Sequence, residues 1–448
     1  MSNSLLEALS AAELHCPVIT AGDPDYDRYR HVWNGIADRL PRAIVRPQDV
    51  EDVQKAVRAA AASGALLAVR GGGHSLPGLS TCNDGLVLDL SLIRPIVIDN
   101  QAQTVDVGGG ALLGDLDRAT VPRGYIVPAG VISHTGIAGL TLGGGMGWAS
   151  RKYGLTIDSL LGAEIVLASG DITWTSPTWN PELFWAIRGG GGNFGVVTRF
   201  RFQLHPFDGI VAGQWNYPFS SARQVLPVLR DLLRQQSRDL TVSFTASQSG
   251  IAVAAVWFGD SAHAPTTLLP FGNLAHGTGA GGGLENLSYL TLQSRNDAAY
   301  AWSRRYYAKG GFWSEISDQA IGHIVDAIAH APAPDCEIYV LQLGGAISDV
   351  ADEATAYTGR NAGFYWLCEP IWDDSTGDDG CIEWGRRNGR LLSDGSIPGN
   401  YVNEQGDTGS HIARDAYGHE KYRRLARLKA RLDPANLFRL NQNIEPQE

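Results

Sequence analysis

Apolar residues recur along this chain at two periods, and the change of period divides it. Ile44 and Val45 read as a short strand. Val50, Val53 and Val57 follow at helical spacing, behind Pro47 and Asp49 at a helix start and ahead of Gly64, which closes the helix. Residues 66–69 form a second strand, so the segment predicts a βαβ-like unit that delivers the chain into Arg70-Gly71-Gly72-Gly73-His74-Ser75. Short strands bounded by turn residues are expected at 85–90, 95–98 and 104–107. Small residues dominate 130–147, strand character returns at 164–168 and 195–202, and a first lobe is expected to end near Pro206.

From about 208 to 395 the pattern changes to longer alternating segments at 240–249, 251–258 and 338–343, with helices at 222–236 and 316–330. An antiparallel sheet with helices on one side is the simplest account, which makes the chain an α+β protein of two lobes. The Gly- and Ala-rich run 274–284 reads as a loop or linker. Near the end, Tyr422, Leu425, Leu428 and Leu432 form an apolar helical stripe that Asp433-Pro434 stops. No repeat of 20 to 50 residues points to a solenoid or propeller.

At 448 residues and 44% hydrophobic content the chain exceeds what one core usually holds, in keeping with two lobes. A formal charge of −11 argues against nucleic acid or an anionic membrane as partner, because both need concentrated Lys and Arg, and favours a small molecule. The N-terminus has no basic region followed by an apolar one, and no apolar stretch reaches the roughly 20 residues of a membrane span, so a cytoplasmic protein is expected. Five scattered cysteines without CxxC spacing suggest free thiols, with no disulfide framework and no metal. Nothing in the sequence marks an oligomer interface.

The 54 glycines fall into local clusters, at 70–75, 130–148 and 188–197, and an asparagine-rich close follows at 441–443. A glycine-rich segment lets backbone N–H groups converge on an anion without Cβ interference, so a pyrophosphate can be held with few lysines. The alternative is that the glycines serve tight turns and close packing. A P-loop is excluded because GxxxxGK[ST] does not occur. A nicotinamide fingerprint is disfavoured because Gly189 to Gly195 precede a strand where that turn would follow one.

Five segments together carry a resemblance: VRGGGHS (69–75), PAGVISHTGIAGLTLGGGMGWASRKYGLTID (128–158), LFWAIRGGGGNFGVVT (183–198), YVNEQGD (401–407) and YRRLARLKARLDPANLFRLNQNI (422–444). In this order they resemble the berberine-bridge-enzyme-like branch of the vanillyl-alcohol oxidase superfamily, whose FAD domain is of the PCMH type. The resemblance implies an FAD-binding domain at 1–207, a substrate domain at 208–395 and a C-terminal segment at 396–448 that returns to the FAD domain.

It further implies that His74 bonds covalently to the 8α-methyl group of FAD, flanked by Arg70, Gly71, Gly72, Gly73 and Ser75. Gly130, Ser133, His134, Thr135, Gly136, Gly139, Gly143, Gly144, Gly145, Gly147 and Trp148 are placed at the cofactor by the second cluster. Gly192, Asn193, Gly195 and Val197 join them from the third, and Tyr401, Asn403, Asn441 and Asn443 from the C-terminal segment. Many relatives carry a second tether, a cysteine bonded to flavin C6; Ile132 stands in its place here, so a single link is expected. Losing the second link lowers the redox potential relative to doubly linked relatives and sets aside their carbohydrate-oxidising function.

Thr135 is placed at the ring edge where oxygen reacts, small enough to admit O2, which implies an oxidase. His134 either touches the cofactor or substrate or bonds within its own loop. Tyr401 is the candidate catalytic acid or base, although a phenol with an unperturbed pKa of about 10 needs help from its surroundings. Gln342, Tyr365 and Glu369 are candidates for facing the substrate from the sheet, or are ordinary sheet residues.

The reaction implied is hydride transfer to flavin from a small alcohol, amine or polyketide-like molecule in secondary metabolism, with the flavin as electron sink and O2 as acceptor. An oxygenating or cyclising enzyme of natural-product biosynthesis is the alternative, and a non-catalytic FAD-binding protein a third reading. The aromatic run 300–313 suggests a pocket for an apolar or aromatic ligand.

Overall fold

The computed structural model describes residues 4–234, 236–275 and 280–447. Strand β1 (Ala43–Val45) leads to helix α1 (Val50–Ser63), which starts where the Asp49 side chain accepts the Asp52 N–H and ends where Gly64 takes a left-handed φ of 65°. Strand β2 (Leu67–Arg70) does not pair with β1. Strand β3 (Leu86–Asp89) lies between them, parallel to both, and the short strand Val18–Ile19 closes the edge beyond β1. Leu86, Val87 and Leu88 suit that central place because they are apolar on both faces and fully buried.

Among the described residues the chain then builds a five-stranded antiparallel sheet. Strands β4 (Ile96–Asp99) and β5 (Thr104–Gly108) form one side, and β6 (Leu160–Val166) and β7 (Ile172–Thr175) the other. Strand β8 (Val196–Gln203) joins β5 to β6. The short helix α2 (Ile137–Gly143) packs Ile137, Ala138 and Leu142 into the core of this sheet.

A seven-stranded antiparallel sheet follows. Its strands are β9 (Val211–Tyr217), β10 (Leu240–Ser247), β11 (Gly250–Trp257), β12 (Gly281–Glu285), β13 (Lys309–Trp313), β14 (Glu337–Gln342) and β15 (Phe364–Glu369), in spatial order β12-β9-β11-β10-β14-β15-β13. Helices α3 (Ala222–Leu233), α4 (Asp318–Ala329) and α5 (Asp378–Leu392) cover one face, where Leu229, Ile324 and Trp384 pack with Val340 and Trp366. The other face turns to the first lobe, where Leu341, Tyr365 and Leu367 pack with Met146, Leu155 and Ile157.

Strand β12 corrects an expectation, since its residues 281–284 lie in the run read as a loop; residues 276–279 of that run lie outside the described residues. The pairing is carried by backbone and favoured by glycine: a Cβ on Gly282 would stand 2.2 Å from the Gln214 carbonyl oxygen. No helix among the described residues is long and apolar enough to cross a membrane, and all five cysteines are free thiols.

The C-terminal helix α6 (Ser410–Leu432) breaks at Gly418 and buries Leu425 and Leu428 in the core of the five-stranded sheet. Lys429 lies wholly buried within it, its Nζ 2.7 Å from Asp433 Oδ2 and donating to the carbonyls of Asn193 at 2.7 Å and Phe438 at 3.0 Å. This ties the end of the chain to the 188–197 loop. Asp433→Ala strands a buried ammonium and is expected to cost about 3–5 kcal/mol in urea unfolding, whereas Lys429→Met with Asp433→Leu loses much less.

Candidate active site

The loop after β2 begins with Arg70, whose side chain is buried. Its guanidinium donates to the Tyr29 and Arg30 carbonyls behind the loop and stands 3.8 Å from Asp89. The next residues press against a second loop: a Cβ on Gly72 or on Gly136 would lie 2.2 Å from the backbone nitrogen of the other. Among the described residues, none of the N–H groups from Gly71 to Ser75 donates to a protein acceptor. Gly71 and Gly72 are half-buried, and Gly139 across the gap is exposed with nothing within 4 Å of where its Cβ would stand. Consecutive free N–H groups over an open, side-chain-free groove fit a pyrophosphate, so the residues present suit FAD.

His74 closes the groove. Its ring stacks on Trp33 with centroids 4.7 Å apart, its Nε2 lies 2.7 Å from His134 Nδ1, and its Nδ1 has only the Thr135 hydroxyl at 3.4 Å. Burial, with His134 adding to it, pushes the His74 pKa down to about 3, so the imidazole is neutral at physiological pH. The second loop is held in turn by Asp297, which accepts the Ser133 N–H at 2.9 Å and the Ser133 hydroxyl at 2.5 Å. The Thr135 hydroxyl stands 3.4 Å from His74 Nδ1.

Tyr401 and Asn403 approach from the C-terminal segment. The Tyr401 hydroxyl oxygen accepts from the Gly145 N–H at 3.2 Å and from Asn403 Nδ2 at 2.9 Å, while Asn403 also donates to the Leu140 carbonyl. A Cβ on Gly143 would stand 2.3 Å from Asn403 Oδ1, and Gly144 runs under Tyr401 and Tyr357, so these glycines serve side-chain approach. Burial, reinforced by Glu404, raises the Tyr401 phenol well above its usual range. It therefore stays protonated and ties the 140–145 segment to Asn403.

Several other expected cofactor residues have partners within the protein. Asn193 spends its amide on Gly190 O, Gln442 O and the Ile444 N–H, and Gly192 packs beside Asn441. Val197 lies in the core of the five-stranded sheet, and Gly195 meets the Val166 carbonyl. Trp148 packs with Phe258 and Tyr289 between the lobes, Gly147 meets the Ala129 carbonyl, and the Ser75 hydroxyl accepts the Leu79 N–H. Gly130 packs under Leu140, Gly145 against Thr156, and Gly73 takes a φ of 73° beneath Trp302. Asn441 donates to the Phe438 carbonyl at 3.2 Å, and Asn443 Oδ1 is buried with no partner among the described residues.

On the seven-stranded sheet the alternation of strands separates the candidates. Gln342 points to the helical face, where Nε2 donates to the Leu233 carbonyl at 3.0 Å, so it does not face the site. Tyr365 and Glu369 point to the first lobe. With them stand residues not singled out from the sequence: Tyr300, whose hydroxyl is 2.7 Å from Glu337 Oε1 and 3.3 Å from Glu369 Oε2, and Glu404 beside Tyr365. Asn34, also unmarked, clasps the Leu76 and Tyr306 carbonyls and so joins the lobes next to His74. The aromatic run 300–313 was the signal for Tyr300 and Tyr306, and Glu404 sat within YVNEQGD.

The FAD binding domain family model matches residues 41–176, and the berberine and berberine-like family model matches residues 400–445. An FAD-linked oxidoreductase of Dictyostelium discoideum is 32% identical over 418 residues, covering 92% of this chain and 91% of the relative. The (R)-6-hydroxynicotine oxidase of Paenarthrobacter nicotinovorans is 30% identical over 480 residues, covering 100% of both chains. The solved BBE-like 1 protein of Physcomitrella patens has the same fold, with a TM-score of 0.90 at 23% identity over 99% of both chains. The chain belongs to the berberine-bridge-enzyme-like branch of the vanillyl-alcohol oxidase superfamily and is an FAD-linked oxidoreductase.

Two glycine substitutions separate packing from cofactor binding. Gly72→Ala forces the two loops apart and is expected to lower the melting temperature and the flavin content together, at about 1–3 kcal/mol. Gly139→Ala points into open groove and improves α2 propensity by about 1 kcal/mol, so the fold is kept while the flavin-to-protein absorbance ratio falls.

Proposed function

We propose that this chain is an oxidase that carries FAD on a single covalent bond to His74 Nδ1. It takes a hydride from a small organic molecule seated against the seven-stranded sheet and passes the electrons to O2. The observation that carries this reading is the anchor: a neutral imidazole at the mouth of the free N–H loop, with one nitrogen held and the other open. When His74 Nε2–H donates to His134, the lone pair of Nδ1 is left free for the flavin methyl carbon. His134 Nδ1 would take the Nε2 proton released by the alkylated imidazole, while the methyl C–H would give up its hydrogen as a proton and its electron pair to the ring, from which O2 would remove it.

The flavin supplies the electron sink when bound. Trp33 and Trp302 wall the anchor, Trp33 stacked on the His74 ring and Trp302 edge-on to it at 6.1 Å. Aliphatic Ile132 at the position of the second tether supports one link, not two. The full-length likeness to a protein named as an oxidase, the (R)-6-hydroxynicotine oxidase, supports O2 as acceptor. Tyr401 and Asn403 hold the 140–145 segment, and Glu369, unlike Gln342, stands on the sheet face turned to the first lobe.

Acid denaturation followed by washing decides the anchor. The wild-type pellet is expected to keep its yellow colour and the His74→Ala pellet to lose it to the supernatant; colour released from the wild type overturns the covalent link. Reduced wild-type enzyme is expected to regain its oxidised flavin spectrum rapidly in air-saturated buffer, and a persistent reduced spectrum reassigns it as a dehydrogenase.

A further inference from the structure

Between the helix at Tyr289–Ser294 and the edge strand β13, the second lobe sends one segment, residues 297–303, across the two loops that carry His74 and His134. Its first contact is on the His134 side. Asp297 is half-buried and spends its carboxylate on Ser133, where Oδ1 accepts the N–H at 2.9 Å and Oδ2 the hydroxyl at 2.5 Å. The first lobe holds the same loop from the other side. There the Gly114 N–H donates to the Ser133 carbonyl at 2.8 Å and the Leu113 N–H to the Thr135 carbonyl at 2.9 Å. His134 thus sits between two fastened residues, one of them fastened from both lobes.

The remaining contacts of the segment are on the His74 side and run through Trp33. The Trp33 indole N–H donates to the Tyr300 carbonyl at 2.8 Å, the Ser303 N–H donates to the Trp33 carbonyl at 2.9 Å, and the Trp33 ring stacks on His74. Trp302 crosses above, its ring 3.2 Å from where a Cβ on Gly73 would stand. Ser303 takes a φ of 72°, a left-handed conformation uncommon for serine, and its carbonyl oxygen would lie 2.4 Å from a Cβ on Gly35. Such a turn persists only where its surroundings over-determine it, and here the Trp33 bond and the close approach to Gly35 do so. One segment of the second lobe therefore fixes a neighbour of each histidine.

We infer that residues 297–303 form a strap through which the second lobe sets the His74–His134 pair for flavin attachment, with Asp297 as its positioning residue. The inference rests on the covalent anchor proposed above. Attachment joins His74 Nδ1 to the flavin methyl carbon. One hydrogen leaves that carbon as a proton, a second proton leaves His74 Nε2 for His134 Nδ1, and the two electrons released pass with two protons to O2 as hydrogen peroxide. The proton crosses the 2.7 Å between the imidazoles only while they stay aligned, so loosening Ser133 slows the bond without removing any group that takes part in it. The free N–H groups of 71–75 lie on the other loop, so the groove for FAD is kept when Ser133 is released.

The test uses full-length protein purified from riboflavin-limited cells and then incubated with FAD in air. Acid-precipitable flavin followed over time gives the attachment rate, and short titrations with FAD in the cold give the affinity before the bond forms. Asp297→Ala is expected to slow attachment about tenfold or more while changing FAD affinity by less than about threefold. Asp297→Asn keeps the planar shape, accepting the Ser133 N–H and donating to its hydroxyl, and is expected to attach FAD within about threefold of the wild-type rate. Attachment by Asp297→Ala at the wild-type rate overturns the inference. So does a loss of affinity as large as the loss of rate, which marks a structural role alone, or an Asp297→Asn as slow as Asp297→Ala, which makes charge and not position the cause. Where Asp297→Ala fails to fold, Ser133→Ala removes one of the two bonds and keeps the other; attachment is expected to slow about threefold, and an unchanged rate counts against the strap. Colour released by acid from the wild type defeats the anchor reading itself, whereas a covalent wild type beside an unaffected Asp297→Ala defeats the strap alone.

Discussion

Because Gly72 and Gly136 have no Cβ, the loop after β2 and the loop before α2 close to backbone contact, and most of the site's geometry follows from that approach. It sets His74 on one loop within 2.7 Å of His134 on the other. It also leaves the N–H groups of 71–75 facing a groove instead of a neighbouring strand. A Cβ at either position would meet backbone at 2.2 Å, so the loops would have to part by about 1 Å to reach ordinary contact, enough to break the 2.7 Å imidazole pair. The anion-binding loop would then be lost with it. Asp297, reaching from the far side of the chain to Ser133, holds the second loop in this position.

The period of the seven-stranded sheet decides what the second lobe offers to the first. Along β14 and β15, Ile338, Val340, Phe364 and Trp366 face the helices, while Tyr339, Leu341, Tyr365 and Leu367 face the first lobe. Gln342 shares the parity of Val340 and Glu369 that of Leu367, so two polar residues that looked alike in sequence fall on opposite faces. The alternation was legible, but the face assigned to each parity was not, because both faces of this sheet are apolar. Only the helices α3, α4 and α5, once packed, fix which parity is outward.

Other parts of the fold were hidden for different reasons. The order of the first parallel strands was lost because β3 enters between β1 and β2 from later in the chain, and no local pattern records such an insertion. Strand β12 was unreadable because three of its five residues are glycine, which carry no periodicity. The glycine clusters marked the right loops without separating glycines that face the groove, such as Gly71 and Gly139, from those buried under another residue, such as Gly143 and Gly195. Likewise Asn193 lies within a recognisable motif, yet its amide is consumed in clasping the C-terminal segment. Tyr300, Glu337 and Glu404 come together from three distant segments, a convergence that exists only in the folded chain.

The two lobes divide charge between them in a way that bears on chemistry. The first lobe can meet an anion with backbone N–H groups and a neutral imidazole, so it needs no lysine or arginine in the groove and leaves none to neutralise the second lobe. The second lobe therefore keeps its carboxylates uncompensated, and burial answers by holding protons on them.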